Sequence, residues 1–279
     1  MPKFCVILPA AGKSSRFGDL NYKKPFAPLN NRAVWLHTAQ YFLNRKDVAQ
    51  VILVVSPEDY EDVLIKYRAE ISINDVDVVK GGAERADSIE NAISKIRPEC
   101  DFVCVHDAAR PCLMNSWIDD VFRTAVQTGA AMLAVPVSDS LKRVVPNQNS
   151  SKKKHGKPKE LSLDALLPDD SEPNEAGDGV IAESVDRSNL WRAQTPQVFR
   201  RDWFEEVYAR RPRGKSAQTT DDSMLFEQAG HSVYVVEASS LNIKITTHSD
   251  LQLAEAILKI LPGPKKNVFH PFADEDLFR

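Results

Sequence analysis

Short apolar runs recur along the chain with helix-like stretches between them, and this alternation limits the fold more than any other feature. The runs are Phe4-Cys5-Val6-Ile7-Leu8, Val51-Ile52-Leu53-Val54-Val55, Val76-Asp77-Val78-Val79, Phe102-Val103-Cys104-Val105-His106 and Ala131 to Val135. Each has strand length, and most are apolar without alternation, as strands covered on both faces are. Helical patterns fill the intervals: about Ala33–Asn44, a segment opened by Ser56-Pro57-Glu58-Asp59, Glu84–Ile96 and Ser116–Gln127. Ser56 suits a cap, Pro57 the first turn, and the two acids the positive end of that helix. Strand then helix, repeated with short connections, predicts an α/β fold: a mostly parallel sheet with helices on both faces.

In such sheets ligands gather outside the carboxyl ends of the strands. Three chemically rich segments fall there, 9–24, 81–88 and 106–111. In Pro9-Ala10-Ala11-Gly12-Lys13-Ser14-Ser15-Arg16 the residues at 10, 11, 12, 14 and 15 are small enough for another group to approach the main chain. Gly12 admits backbone angles that a Cβ would resist. Consecutive amide N–H groups suit an anion, and Lys13, Arg16, Lys23 and Lys24 add positive charge. The loop is neither a Walker loop nor a dinucleotide fingerprint.

Gly81-Gly82-Ala83-Glu84-Arg85-Ala86-Asp87-Ser88 offers N–H groups and a hydroxyl to the edge of a base; a plain helix start with Glu84 on its dipole explains it equally well. In His106-Asp107-Ala108-Ala109-Arg110-Pro111, Asp107 can orient a hydroxyl or help hold a divalent metal, and Arg110 can fork onto a phosphate. A salt bridge between the two is the plainer alternative. His106, ending a buried strand, reads as a satisfied core histidine. Asp221, Asp222 and Lys244 are later candidates. Lys244 lies in a strand expected over Asn242–Thr246, and it needs a partner if both sheet faces are covered.

The 279 residues, 43% hydrophobic and 27% charged, are those of a globular chain. A net charge of −3 gives no global field for nucleic acid, so an anion site must be local. No apolar run has the length of a membrane span, and Met1-Pro2-Lys3 enters a strand without a signal-peptide layout. Cys5, Cys100, Cys104 and Cys112 lack zinc-site spacing and read as buried free thiols, which fits a cytoplasmic protein.

The rhythm breaks near Pro146. Residues 147–179 are polar, first basic over Lys152–Lys159 and then acidic over Asp169–Asp178. That composition predicts a mobile, solvated insertion rather than a nucleic-acid arm, with a short helix at most over Leu161–Leu167. Order resumes at Val180, with helices near 202–210 and 222–229, a strand over Ser232–Val236 and a helix over Ser249–Leu261. The expected organisation is one domain, 1–262, with an arm at about 138–195 and a loosely held tail, 263–279.

Several of these segments together resemble the 2-C-methyl-D-erythritol 4-phosphate cytidylyltransferases. They are Pro9-Ala10-Ala11-Gly12 with Arg16, Lys24, Gly81-Gly82 with Arg85 and Asp87-Ser88, His106 through Pro111, Val185-Asp186-Arg187, Thr195-Pro196-Gln197 and Asn242-Ile243-Lys244. The resemblance spans most of 3–262 outside the insertion. It implies a Rossmann-like nucleotidyltransferase fold with a protruding arm, a homodimer formed through that arm, and CTP and a polyol phosphate as partners. Neither nucleic acid nor membrane enters.

The implied reaction is in-line attack of the substrate phosphate on the CTP α-phosphorus, expelling pyrophosphate. By the same resemblance Arg16, Lys24, Lys244 and Asp107 are catalytic, and Mg2+ or another divalent cation is held mainly by CTP phosphates with Asp107 as its candidate protein ligand. Ala10, Ala11, Gly12, Gly82, Ala83 and Ser88 surround the nucleotide. Arg110, Ser140, Arg187, Thr195 and Asp221 bind the polyol phosphate, Arg187 coming from the neighbouring subunit. The chain departs from the family where a second glycine is usual in 12–16, where Ser140 replaces threonine, and where Lys23-Lys24-Pro25 swaps lysine and proline. That swap leaves open which lysine meets the α-phosphate. Ribitol 5-phosphate cytidylyltransferases share the architecture and the Asn242-Ile243-Lys244 segment, and a non-catalytic nucleotide-binding protein is the alternative of another class.

Overall fold

The computed structural model describes residues 1–12, 23–146, 179–212 and 221–264. The strands are β1 (Phe4–Pro9), β2 (Pro28–Leu29), β3 (Arg32–Ala33), β4 (Val48–Val55), β5 (Val76–Lys80), β6 (Phe102–Val105), β7 (Ala130–Pro136), β8 (Leu141–Pro146), β9 (Gly179–Val185), β10 (Trp191–Arg200) and β11 (Tyr234–Glu237). The helices are α1 (Val34–Leu43), α2 (Tyr60–Lys66), α3 (Arg68–Ile73), α4 (Arg85–Ile93), α5 (Asn115–Thr128), α6 (Arg201–Arg210), α7 (Asp222–Gln228) and α8 (His248–Ile260).

A seven-stranded sheet runs β11-β7-β10-β6-β1-β4-β5. Pairs β1–β4, β1–β6, β4–β5 and β7–β11 are parallel, whereas β10 lies antiparallel to β6. The period-2 alternation of strand side chains explains why the runs are apolar throughout. From β1, Phe4, Val6 and Leu8 pack with Trp35, Phe42, Ile118 and Phe122 of α1 and α5. Cys5 and Ile7 point the other way, to Ile89 of α4, Phe204 of α6 and Phe226 of α7. Residues of β4 and β6 divide in the same manner, so helices cover both faces. A third cluster seats α8, through Leu251, Ala254 and Ile257, on Leu29, Val34, Ala109 and Cys112. All four cysteines are buried and free, as expected.

The chain divides into two compact units, Met1–Val135 with Arg192–Arg279, and Pro136–Trp191. In the smaller unit β8 and β9 form an antiparallel pair, and Val144, Val145, Val180 and Ile181 on it are exposed. Residues 147–178 of the expected 147–179 insertion, with its expected Leu161–Leu167 helix, and residues 265–279 of the expected tail lie outside the described residues, while Gly179 opens β9.

Several sequence expectations need correction. Asn242–Thr246 is not a strand: Asn242 and Ile245 bond to loop and β10 groups instead of a ladder, Ile245 N donating to Ala109 O at 2.9 Å. Ser56 caps a turn rather than a helix, its Oγ accepting from Asp59 N, and α2 starts only at Tyr60. His106 falls just after β6. The antiparallel β10 is missing from the sequence reading altogether, because Gln194-Thr195-Pro196-Gln197 has the composition of a loop.

Candidate active site

The carboxyl ends of β1, β4, β5 and β6 meet in a cleft of about 750 Å³. Pro9–Gly12 follow β1, Ser56–Glu58 follow β4, Gly81–Arg85 with Ser88 follow β5, and Asp107 with Ala109 follow β6. Lys23, Lys24, Lys244 and Thr246 complete the wall. A second hollow of about 650 Å³ lies at the amino ends, against Met1, Pro98 and Phe102. Its arginines are already paired, Arg200 with Asp202 and Arg201 with Glu205, so it gathers no comparable chemistry.

Two glycines are required by how closely the loops approach. A Cβ on Gly81 would lie 2.8 Å from both Ala11 Cβ and Ser88 Oγ, and one on Gly82 would lie 2.4 Å from Asp87 Cβ. Ser88 Oγ donates to Glu84 O and accepts from Gly82 N, both at 3.1 Å, which fixes the 81–88 loop against α4. Gly12 differs from both. It has no left-handed φ, and a Cβ there would meet nothing within 4 Å. The expectation that Gly12 supplies an unusual backbone angle is therefore corrected: among the described residues nothing demands a glycine.

Asp107, 7% exposed, is the hub of the opposite wall. Its Oδ2 receives Lys244 Nζ at 3.0 Å and Arg110 Nε at 3.0 Å. Burial by itself would raise this carboxyl, but the Lys244, Arg110 and Arg85 charges hold it well below the usual range, so it is a carboxylate at neutral pH. Its N–H donates to Thr195 Oγ1 at 3.0 Å. Arg110 O, 3.1 Å from His106 Nε2, can only accept, so the imidazole proton sits on Nε2 and Nδ1 accepts from Thr195 Oγ1, 3.0 Å away. Arg110 Nη1 donates to Asn242 O at 2.8 Å, and Asn242 Nδ2 donates to Thr195 O and Gln194 Oε1, each at 2.9 Å. Three distant segments are thus tied into one network, with Lys244 two residues beyond its buried asparagine.

His106 is wholly buried, and burial pushes its pKa down to about 4, against the pull of the Arg110 carbonyl and the Asp107 charge. An unfolded histidine titrates near ~6.5, so between there and about 4 the unfolded chain binds the extra proton and the folded one does not. Stability is therefore complete above that window and is lost as pH falls through it, by roughly 3 kcal/mol. Asp107, also depressed, adds its loss only below the ordinary carboxylate range. Urea unfolding from pH 7 to 4 should show the decline, and His106→Gln should flatten it; an unchanged slope would remove His106 as its source.

Arg85 reaches the cleft from α4 and is backed by buried Asp222, Nη2 to Oδ2 at 2.7 Å, which in turn takes the Tyr208 hydroxyl. Burial works against its charge, but Asp222 and Asp107 more than restore it, and its pKa lies above the ordinary guanidinium value. Sequence reading offered Asp222 without finding this pairing. It also missed Ser56, Glu58 and Thr246 in the cleft wall; the first two follow β4, where the strand-end rule would have found them.

Of the residues singled out from sequence, Ala10, Ala11, Gly12, Lys24, Gly82, Ala83, Ser88, Asp107 and Lys244 line the cleft. Arg110 and Thr195 stand behind Asp107 through the hydrogen bonds above. Asp221 caps α7, accepting from Met224 N at 3.1 Å, and is not among the lining residues. Ser140 and Arg187 are exposed in the smaller unit, where Arg187 Nη1 donates to Ser138 O. Arg16, with Lys13 to Ser15, lies outside the described residues.

Glycine-punctuated loops and several cations around one carboxylate, at the carboxyl edge of a mostly parallel sheet, define an α/β protein of the nucleotide-binding kind. A family model described as IspD, 2-C-methyl-D-erythritol 4-phosphate cytidylyltransferase, matches residues 4–155 and 168–260. A relative of that name from Rhodopirellula baltica is 37% identical over 91% of this chain and 93% of its own. One from Bacillus velezensis is 33% identical over 94% and 98%. The crystal structure of the Francisella tularensis 2-C-methyl-D-erythritol 4-phosphate cytidylyltransferase superposes with a TM-score of 0.67 at 26% identity, covering 91% of this chain and 99% of that one. The chain belongs to the 2-C-methyl-D-erythritol 4-phosphate cytidylyltransferase family and is a nucleotidyltransferase. Among the described residues no helix is long and apolar enough to cross a membrane.

Proposed function

We propose that this chain joins CTP to 2-C-methyl-D-erythritol 4-phosphate in the cleft, giving the CDP-linked polyol and pyrophosphate. The observation that carries the reading is the meeting of Lys24, Arg85 and Lys244 with a single ionised aspartate over loops made of small residues. A substrate phosphate oxygen attacks the α-phosphorus, a new P–O bond forms, and the bond to the bridging oxygen of pyrophosphate breaks. Negative charge grows on the α-phosphate during this exchange, so preplaced cations lower the barrier more than they tighten ground-state binding. Lys24 and Lys244 serve this purpose, with Arg16 on the same role from the resemblance. Asp107 holds Lys244 ready, and its hydrogen-bonded backing keeps the carboxylate in place.

The donor set suits magnesium, which favours substrate phosphates plus one or two carboxylates over an all-protein cage. Asp107 is the candidate ligand, since Lys244 and Arg110 both take Oδ2 and leave Oδ1 outside those two contacts. Among the described residues there is no cluster of three metal-ligating side chains. Bound there, the ion would neutralise charge on the phosphate oxygens. Arg187 and Ser140 are assigned to the polyol phosphate, Arg187 across a homodimer whose arm contact would cover the exposed Val144, Val145, Val180 and Ile181.

Gly12 tests the nucleotide assignment cleanly. Gly12→Ala meets no atom of the described residues, so its melting temperature should match the parent while KM for CTP rises about 10-fold, because the methyl obstructs a close phosphate or ribose. An unchanged KM would remove Gly12 from the nucleotide site. Pyrophosphate release measured with CTP, magnesium and either methylerythritol or ribitol phosphate tests the reaction as a whole. Turnover confined to the ribitol substrate, or to neither, would reject it.

A further inference from the structure

We infer that Lys23 is a positioning residue: clamped to Ser56 and Asp59, it pins the turn that presents Lys24, and Lys24 is the one of the two neighbours that meets the nucleotide. The inference rests on the cytidylyltransferase reading and names a further working part of the same cleft. Lys23 Nζ lies 2.6 Å from Asp59 Oδ2 and donates to Ser56 Oγ at 3.1 Å. Ser56 Oγ itself donates to Asp59 Oδ2 at 2.6 Å and accepts from Asp59 N at 3.3 Å. The buried serine hydroxyl therefore uses its proton and both lone pairs, and the triad is closed.

The other end of the turn is equally fixed. Phe26 N donates to Lys23 O at 2.9 Å, and Pro25 and Phe26 are buried, so the short 3-10 turn Lys24–Phe26 is held by the clamp on one side and the core on the other. Lys24 then enters the cleft wall from a fixed backbone. The clamp has an electrostatic consequence as well. Ser56 and Glu58 line the cleft, so Asp59 stands beside a surface meant for a polyanion. Moving Lys23 onto a phosphate would strip that carboxylate of its counter-charge and set it against the triphosphate.

Lys23→Met should lower kcat about 5-fold, because a loosened turn misplaces the Lys24 charge that acts in the transition state, and should raise KM for CTP by no more than about 2-fold. Lys23→Arg, which can keep the ion pair, should restore kcat. The double variant Lys23→Met/Asp59→Asn should be no worse than Lys23→Met alone, since the orphaned charge is gone. Hydrogen–deuterium exchange of the peptide covering 23–26 should accelerate in both Lys23→Met and Asp59→Asn, whatever their activity. A fall in kcat of about 10²-fold in Lys23→Met, with Asp59→Asn unaffected, would make Lys23 a phosphate ligand and overturn the inference. Unchanged exchange in both variants would also overturn it. Lack of turnover by the unaltered chain would instead reject the proposed reaction, and the exchange result would still judge the clamp.

Discussion

Lys244→Met is expected to lower kcat by about 10²-fold or more while changing KM for CTP only a few-fold. Methionine keeps the length and apolar body of the side chain and removes its charge. In the resting protein Lys244 Nζ sits 3.0 Å from Asp107 Oδ2, with 43% of the side chain still exposed to the cleft. It is thus held near the reacting centre without being buried away from it. Its charge matters most when the α-phosphorus carries five oxygens, and so the loss should fall on turnover. Loss of the positive charge also leaves Asp107 with Arg110 and Arg85, which are enough to keep it ionised, so the fold should survive and melting should be little altered. Steady-state kinetics at saturating magnesium and both substrates decides the matter. A kcat within a few-fold of the parent would show that Lys244 is only a salt-bridge partner.

Asn242→Asp should be nearly as damaging by a different route. The amide nitrogen of Asn242 donates to two acceptors, Gln194 Oε1 and Thr195 O, each at 2.9 Å, inside a fully buried environment. Exchanging it for a carboxylate oxygen loses both bonds and sets an acceptor against two acceptors, at a cost of roughly 3 kcal/mol in urea unfolding. The backbone of the same residue receives Arg110, and Lys244 follows two positions later. The displacement should therefore lower kcat about 10²-fold, with Lys244 and Arg110 both misplaced. Asn242→Ala removes the donor without adding charge and should retain more stability but little more turnover. Normal kcat in a folded Asn242→Ala protein would show that the network supports the fold and not the chemistry.

The layout of this site shows where sequence reasoning reaches and where it stops. Apolar runs such as Val51–Val55 revealed β4 because every residue in it, on either face, meets a helix, and glycine pairs such as Gly81-Gly82 marked the strand end where a loop approaches Ala11 and Ser88 within contact distance. Those are local signals, carried by neighbouring residues. Asn242–Thr246 misled for the opposite reason. Its alternation has strand character, yet its polar atoms are satisfied in part by β10 and the Asp107 loop, nearly fifty or more positions away. In part they are satisfied by close neighbours such as Asp250, which takes both Thr246 N and Oγ1. β10 escaped notice because its polar composition suits its place between Asp107, Asn242 and Asp221, and composition does not tell a loop from a strand whose side chains have buried hydrogen-bond partners.

The sequence by itself determined the α/β rhythm, the carboxyl-edge location of the site, the free buried thiols and the set of residue types that chemistry of this kind requires. Only the tertiary structure decided which groups meet: Lys244 with Asp107, Lys23 with Asp59, Arg85 with Asp222, and Thr195 between Asp107 and His106. The physical reason is the range of the forces involved. Hydrophobic periodicity is written every two to four residues along the chain, whereas a hydrogen bond or ion pair acts over a few ångströms in space. Its partners are settled only when the folded backbone brings distant segments to that separation.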